Sequence, residues 1–357
     1  MREGIGRVAL AVVVVVTIGV LPIIALSSRM ASDAAVAGAR PSNPGGPKKT
    51  PRPTLAATPT SSIAPTAVPT PTAPLLPPSA APTAQVTTPP AAVTLVGAGD
   101  IASCSSSGAE ATAALLLGIS GTVFTLGDNV YDNGTATEYA GCYGPSWGQA
   151  AIRSRTRPVP GNHEYNTANA TGYYGYFGAA AGDPTKGYYA YDAGTWRVYV
   201  LNSNCAAIAG CSAGSLQEQW LRGDLAANPR ACTLAMWHHP LFSSGEHGNS
   251  TATQALYQAL YDANADLVLV GHDHDYERFG PQTATGASDA ARGIVEMVVG
   301  TGGRSHYTFG TVRANSLVRN GDTYGVLRLS LAAGGWSFAF VPEAGRTFAD
   351  SGTGMCH

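Results

Sequence analysis

The spacing of apolar and polar positions changes near residue 93. Beyond that point, short apolar runs of strand length are separated by amphipathic stretches of helix length. The predicted strands are Val93–Ala98, Thr122–Leu126, Tyr188–Asp192, Trp196–Leu201, Cys232–Trp237, Asp266–Val270, Ile294–Val299, Tyr324–Leu331 and Trp336–Val341. The predicted helices are Ala109–Leu117, Leu216–Leu225 and Thr253–Asn264. A turn at Ala193–Gly194 is expected to join two strands as an antiparallel pair. This mixture predicts a layered α/β fold with polar chemistry in loops after the strand ends.

The first 26 residues have the pattern of an export segment. Arg2 and Arg7 precede an uncharged, Val-rich stretch of 19 residues from Val8 to Leu26. That length exceeds the ~7–15 residues of a signal-peptide core and approaches the ~20 that span a bilayer. The pattern favours an uncleaved anchor in the membrane and leaves a cleaved signal peptide as the alternative. Either way, the expected location is extracellular or at the cell surface.

Residues 27–92 have the composition of a linker. Of the 24 prolines in the chain, 15 lie between Pro41 and Pro90, a stretch that contains no Asp or Glu. Proline fixes φ and lacks a backbone donor, so helices and sheets are disfavoured and polyproline II is favoured. The sequence therefore predicts a disordered, extended spacer followed by a single catalytic domain over residues 93–357.

Charge and cysteine content narrow the function of residues 93–357. This part has 14 basic and 21 acidic residues, a net charge of −7, which argues against nucleic acid as a partner. All six cysteines lie here, and an even number behind an export segment favours disulfides over the alternative of buried free thiols. Of the possible pairs, Cys205–Cys211 is the one predicted, because it closes a short loop. No C-x-x-C motif is present, which argues against a zinc ribbon or a thioredoxin-type site.

Five polar clusters carry the candidate chemistry, and most follow a predicted strand. They are Gly99-Asp100, Gly127-Asp128-Asn129-Val130-Tyr131, Gly161-Asn162-His163-Glu164, His238-His239-Pro240 and Gly271-His272-Asp273-His274. Any one of them is a weak signal, since Gly-Asp is often a turn and His-x-His is often on the surface. Together they supply the carboxylate, amide and imidazole donors that a site for two metal ions needs.

In this order, the clusters resemble those of the calcineurin-like metallophosphoesterases and, more narrowly, the purple acid phosphatases. The broad family usually begins with Asp-x-His, whereas Asp100 is followed here by Ile101 and Ala102. The second cluster ends in Tyr131 instead of an acid. In purple acid phosphatases these two departures occur together, because the tyrosine replaces that histidine as an iron ligand. The string from Gly271 to Arg278 is also similar to that of the subgroup.

The resemblance implies a layered α-β-β-α sandwich and a complete set of site residues. One metal ion would be held by Asp100, Asp128, Tyr131 and His274, and the other by Asp128, Asn162, His238 and His272, with Asp128 bridging. The expected ions are Fe(III) and a divalent ion (Zn, Mn or Fe). His163 resembles a histidine that contacts phosphate or donates a proton, and His247 resembles a substrate-side histidine, although it can equally be a solvated loop residue. The role of His239 is open between a supporting contact and a phosphate contact.

The expected function is hydrolysis of small phosphate monoesters by direct attack of metal-bound hydroxide, without a phospho-enzyme. A phosphodiesterase or a nucleotidase on the same site is the enzymatic alternative. A tethered, wall-associated binding protein with a degenerate site is the non-enzymatic one. A glycine-rich segment and a group of aromatic residues also have more than one possible role. Gly300–Gly303 is either a loop near the site or a simple tight turn, and we expect Trp147, Tyr173, Tyr174 and Tyr176 to pack in the core.

Overall fold

The computed structural model describes residues 91–357, which form two β-sheets and a small number of helices. The strands are β1 Val93–Ala98, β2 Thr122–Thr125, β3 Thr156–Arg157, β4 Tyr189–Ala193, β5 Trp196–Val200, β6 Thr233–Met236, β7 Leu267–Val270, β8 Tyr276–Phe279, β9 Val295–Val299, β10 Ser316–Asn320, β11 Gly325–Ala332, β12 Gly335–Pro342 and β13 Ser351–Met355. The α-helices are α1 Gly108–Gly118, α2 Ala136–Glu138, α3 Ala150–Arg153, α4 Thr171–Phe177, α5 Leu216–Ala227 and α6 Gln254–Asp262.

Both sheets are mixed: the parallel strands form one side of the first sheet and the centre of the second. The first sheet has the order β13-β12-β11-β1-β2-β3, in which β1, β2 and β3 run parallel. The second has the order β10-β8-β9-β7-β6-β5-β4, in which β5, β6, β7 and β9 run parallel. Because parallel strands end at the same edge, the loops that follow them meet there.

The two sheets pack face to face and helices cover their outer sides. Along β5, Val198 and Val200 belong to the core shared with the first sheet, whereas Tyr199 belongs to a second core with residues of α5 and α6. The helix α1 contacts β11 of the first sheet and buries Ala113 and Leu116. This arrangement confirms the predicted α-β-β-α layers.

All nine predicted strands and three predicted helices are present, with ends displaced by at most two residues. The predicted turn is one residue early, because Ala193 pairs with Trp196 inside the hairpin and the turn falls on Gly194 and Thr195. The pattern gave no signal for β3, β8, β10 and β13. The clearest case is β13, a Ser-Gly-Thr-Gly-Met segment without apolar alternation that is a strand because it pairs with β12.

The six cysteines form three disulfides, so the alternative of free thiols is wrong. The predicted pair Cys205–Cys211 is confirmed, and the others are Cys104–Cys142 and Cys232–Cys356. The first of these two joins the loop after β1 to the segment after α2. A cross-link of this kind restricts the unfolded chain and stabilises the fold by about 2–4 kcal/mol.

None of the helices within residues 91–357 has the length and apolar character needed to cross a bilayer. The predicted anchor or signal peptide at residues 1–26 and nearly all of the predicted linker lie outside the described residues.

A buried acid in β9 makes stability depend on pH. Glu296 is fully buried, and its Oε1 accepts the Phe242 N–H at 3.0 Å. Burial raises the pKa of Glu296 to about 8, although the Phe242 N–H opposes this, and the nearby Glu277 raises the pKa further. A raised folded-state pKa means that the folded protein holds a proton that the unfolded chain releases above about pH 4.5, so stability falls between about pH 4.5 and pH 8.

We therefore expect Glu296→Gln to remove this loss. When the pH is raised from 5 to 8, the unfolding free energy of the wild type should fall by about 3 kcal/mol more than that of the variant. Urea unfolding at both pH values measures the difference, and Glu110→Gln at an exposed position of α1 is the control. An identical pH dependence in the wild type and Glu296→Gln would contradict the expectation.

Candidate metal centre

The candidate ligands meet at the edge where the parallel strands end. The loops after β1, β2 and β3 carry Asp100, Asp128, Tyr131 and Asn162, and those after β6 and β7 carry His238, His272 and His274. Backbone hydrogen bonds join the two sheets at this edge. The Gly99 N–H donates to the Val299 carbonyl at 2.8 Å. The fold thus brings together all seven of the residues that the sequence singled out as ligands.

Asp100, Tyr131 and His274 form the first group of donors. The Tyr131 hydroxyl donates to Asp100 Oδ1 at 2.8 Å and lies 3.1 Å from His274 Nε2. His274 Nε2 lies 3.4 Å from the same Asp100 oxygen. Three donor atoms therefore converge on one point from two different sheets.

Asp128, Asn162, His238 and His272 form the second group. His238 Nε2 lies 3.3 Å from Asp128 Oδ2, 3.0 Å from Asn162 Oδ1 and 3.2 Å from His272 Nδ1. Ligand atoms of Asp100, Asp128 and His238 all lie within 4.8 Å of one another, so the two groups are adjacent. Carboxylate, amide oxygen and imidazole nitrogen are donors that suit iron, zinc and manganese.

The backbone is unusual at three of these ligands. Asp100, Asp128 and His272 have φ values of 59°, 47° and 72°, in the left-handed region that residues with a Cβ seldom adopt. In this conformation the His272 N–H donates to Asp100 Oδ2 at 2.9 Å, and the His163 N–H donates to Asp128 Oδ1 at 2.9 Å. Each aspartate therefore has one oxygen fixed by the backbone and the other directed at the neighbouring donors. Such strain is often concentrated at functional sites.

Glycines are required where the loops approach most closely. A Cβ at Gly161 would lie 2.1 Å from Asp128 Oδ1, and a Cβ at Gly300 would lie 2.0 Å from the Asp273 carbonyl and 2.9 Å from Asp100 Oδ2. Of the two alternatives for Gly300–Gly303, the structure favours the loop near the site. Trp147 and Tyr173 are buried in the core as expected, and Tyr176 stacks on Tyr139.

In the centre, burial and neighbouring opposite charges shift the pKa values of Asp128 and His238 in opposite directions. Burial acts to raise the pKa of Asp128, but His238 and then His163 hold it well below its usual range. The effect is mutual: burial acts to lower the pKa of His238, yet Asp128 raises it to about 9. Burial raises the pKa of the Tyr131 hydroxyl well above its usual range, and Asp100 adds to this. A cation at this position would compensate the buried anionic donors.

Glu164 supports the second group from behind, a role that sequence analysis missed. Its carboxyl accepts the N–H groups of Asp128, Asn129 and Gly161 at 3.0, 2.9 and 2.6 Å, and the Tyr139 hydroxyl at 3.1 Å. Burial and then Asp128 raise its pKa to about 7, against the effect of the Gly161 N–H. The only feature of the sequence that could have indicated this role is the position of Glu164 directly after His163, in one of the polar clusters.

Two of the three candidate catalytic histidines contact different candidate ligands. His163 Nε2 lies 3.8 Å from Asp128 Oδ2, and His163 Nδ1 lies 2.6 Å from the Asp132 carbonyl, which orients the ring. His247 stacks on His272 with ring centroids 4.3 Å apart. Both rings therefore border the donor groups.

The third histidine, His239, lies on the side of the second group. One of its ring nitrogens lies within 4.8 Å of ligand atoms of His238 and His272. Its Nδ1 is 2.8 Å from the Ser203 hydroxyl. Burial and the neighbouring His238 lower the pKa of His239 to about 3, so its ring is neutral in this environment.

Hydrogen bonds to the far nitrogens orient two ligand imidazoles. His238 Nδ1 lies 2.8 Å from the Leu126 carbonyl, and His274 Nδ1 lies 2.6 Å from the Ser305 hydroxyl. These contacts leave the Nε2 atoms facing the centre, as supporting residues commonly do at metal sites. Ser305 and its neighbour Arg304, whose guanidinium lies 4.9 Å from the Tyr131 ring centroid, follow Gly300–Gly303. Sequence analysis assigned neither residue.

The sequence profile of the calcineurin-like phosphoesterase family matches residues 94–276, which contain all seven candidate ligands. The chain belongs to the calcineurin-like phosphoesterase family. Its resemblance to purple acid phosphatases is borne out by a probable purple acid phosphatase 20 of Arabidopsis thaliana, 38% identical over 74 residues that cover 18% of this chain and 17% of that protein. Purple acid phosphatase 15 of the same plant is 32% identical over 104 residues, which cover 28% and 19%.

An uncharacterized protein of Mycobacterium tuberculosis is 28% identical over 189 residues, which cover 42% of this chain and 36% of that protein. The chain thus spans about a third of the length of this relative. Among solved structures, purple acid phosphatase PPD1 from yellow lupin superimposes with a TM-score of 0.62 at 18% identity, covering 73% of this chain and 53% of that one. GAP50, the anchor in the inner membrane complex of Plasmodium, gives 0.56 at 13% identity, covering 75% and 90%. These two likenesses show the shared fold.

We expect Glu164→Gln to weaken both the fold and the centre. An amide has one acceptor oxygen and an NH₂ group, so at least one of the backbone N–H groups around Asp128 would lose its partner in the interior. The expected cost at pH 8 is about 3 kcal/mol of unfolding free energy, together with weaker metal retention. Urea unfolding and metal analysis after dialysis measure the two effects. Unchanged values for both would show that Glu164 does not support the centre.

Proposed function

We propose that this chain is an exported phosphoesterase that hydrolyses small phosphate monoesters at a centre of two metal ions. The observation that carries the proposal is the convergence of seven donor side chains at one edge of the two sheets. Membership of the calcineurin-like phosphoesterase family supports phosphoric ester hydrolysis as the reaction class. The three disulfides support export into an oxidising compartment.

The donor groups suggest how the two ions would be divided. Asp100, Tyr131 and His274 would hold one ion, and Asn162, His238 and His272 would hold the other, with the Asp128 carboxylate shared between them. The phenol of Tyr131 favours Fe(III) in the first position, since a hard, highly charged cation stabilises a phenolate oxygen. The second position suits Zn, Mn or Fe in the divalent state.

The ions and the protein residues would divide the work of hydrolysis. Two bound metal ions lower the pKa of water and offset the negative charge of a phosphoryl group. Asp128 and Asp100, each fixed by a backbone N–H, keep the donor groups in register without reorganisation. The Asp132 carbonyl accepts the hydrogen on His163 Nδ1, so the imidazolium form of His163 would hold its second proton at Nε2 and could donate it to the departing alkoxide oxygen. The chain need not supply a covalent nucleophile.

The fold by itself does not separate an enzyme from a binding protein. It is shared by a purple acid phosphatase from lupin and by a protein described as an anchor in Plasmodium. A binding protein with a degenerate site has no need to retain every donor, whereas all seven are present here in one cluster. The intact cluster therefore favours the enzyme.

The proposal predicts that Asp128→Ala abolishes both metal retention and activity. Asp128 belongs to the second donor group and is adjacent to the first, so its loss should affect both ions. Metal analysis of the purified chain and hydrolysis of nitrophenyl phosphate and bis(nitrophenyl) phosphate test this, and a faster monoester reaction is expected. Asp183→Ala, at an exposed loop residue, is the matched control. Hydrolysis of either ester by Asp128→Ala at the wild-type rate would contradict the site assignment.

A second prediction concerns the identity of the first ion. A phenolate bound to Fe(III) gives a violet charge-transfer band, so the iron-loaded wild type should be coloured and Tyr131→Phe should lose the band. Tyr261→Phe, which removes a hydroxyl paired with Asp289 on the surface, should keep it. An active, colourless and iron-free wild type would defeat the iron assignment while leaving a phosphoesterase with other metals.

A further inference from the structure

The position of His239 is compatible with two roles, a metal ligand or a hydrogen-bond donor to a bound molecule. It follows His238 directly, its ring centroid lies 4.4 Å from that of His272, and a ring nitrogen lies within 4.8 Å of ligand atoms of both. Distance alone would allow it to be an eighth metal ligand. It would equally allow it to donate a hydrogen bond to whatever the centre binds.

The hydrogen bonds of Ser203 distinguish the two roles. Ser203 follows β5, the neighbour of β6 in the sheet, and its side chain is buried. Its oxygen accepts the His239 backbone N–H at 3.0 Å and lies 2.8 Å from His239 Nδ1. Within residues 91–357, Nδ1 is the acceptor in reach of the serine hydrogen, and a buried hydroxyl is expected to use it. The hydroxyl therefore donates to Nδ1.

This contact fixes the tautomer of His239. A neutral imidazole that accepts at Nδ1 carries its hydrogen at Nε2. A protonated ring nitrogen has no free lone pair and does not bind a metal ion, so Nε2 is a hydrogen-bond donor. The nearby His238 Nε2 and His272 Nδ1 are themselves candidate metal donors, which leaves the bound substrate as the acceptor.

We propose that His239 donates a hydrogen bond from Nε2 to a terminal phosphoryl oxygen and that Ser203 holds it in this form, which selects monoesters over diesters. A monoester has three terminal oxygens, whereas a diester has two, because the third carries an organic group and is a poorer acceptor. A donor added to the centre is therefore used best by a monoester. The inference rests on the proposed phosphoesterase function.

His239→Ala tests the donor role against the ligand role. We expect the variant to retain both metal ions, to bind inorganic phosphate about tenfold more weakly, and to lose about tenfold more kcat/KM on nitrophenyl phosphate than on bis(nitrophenyl) phosphate. Metal analysis, titration calorimetry of the metal-loaded chain and steady-state kinetics give the three values. Loss of one metal ion, or equal losses on the two esters, would overturn the proposal.

Ser203 provides the second arm of the test. Ser203→Ala should shift phosphate affinity and ester preference in the same direction by a smaller factor, and Ser203→Thr, which keeps the hydroxyl, should restore them. His357→Ala is the control, since this histidine pairs with Asp266 at the opposite end of β7. Unchanged phosphate affinity in Ser203→Ala would exclude the tautomer argument. A wild type that binds phosphate but hydrolyses neither ester would refute the proposed function, while the calorimetry would still decide the role of His239.

Discussion

The burial of acidic side chains at the shared edge of two sheets is the constraint on which the rest of the structure depends. Asp100 and Asp128 have almost no exposure to solvent, and an isolated buried carboxylate is costly. The cost is offset by backbone N–H groups, by the imidazole of His238 and, in the proposed function, by two metal ions. Buried charges of this kind are commonly paired or bound to metal. The loops around them are arranged to bring these partners into contact.

The contacts that link the two sheets lie at the same edge as the candidate ligands. The backbone bond between Gly99 and Val299 links the sheets where the strained residues Asp100 and His272 lie. Their disfavoured conformations persist because neighbouring strands and close glycines hold the loops in position, and the carboxyl of Glu164 does the same for the strained Asp128. The backbone strain in this region lowers stability, and the same conformations fix the positions of the donor atoms. Changes to the supporting residues should alter both stability and chemistry.

The sequence could predict what depends on local pattern. Apolar runs predicted the strands, and the five polar clusters from Asp100 to His274 could be recognised because each lies in a single stretch of chain. The candidate ligands within them were implied by the family resemblance. The sequence could not predict the roles of Ser203 or Glu164. Both act on residues of other loops, and which loops meet is decided by the strand order of the sheets. Segments such as β13 were missed for the same reason, since pairing with a neighbour makes them strands.

Chemistry in this fold is decided by the side chains at the strand ends and not by the layers beneath them. The lupin phosphatase and the Plasmodium anchor share those layers with this chain at low sequence identity. At this edge, position 102 is an alanine, and Tyr131 from another loop places its hydroxyl beside Asp100 and His274. In the proposed function, His239 adds a hydrogen-bond donor beside His238. In the proposed function, the donor cluster sets the reaction class, and the residues around it would set which phosphate esters are accepted.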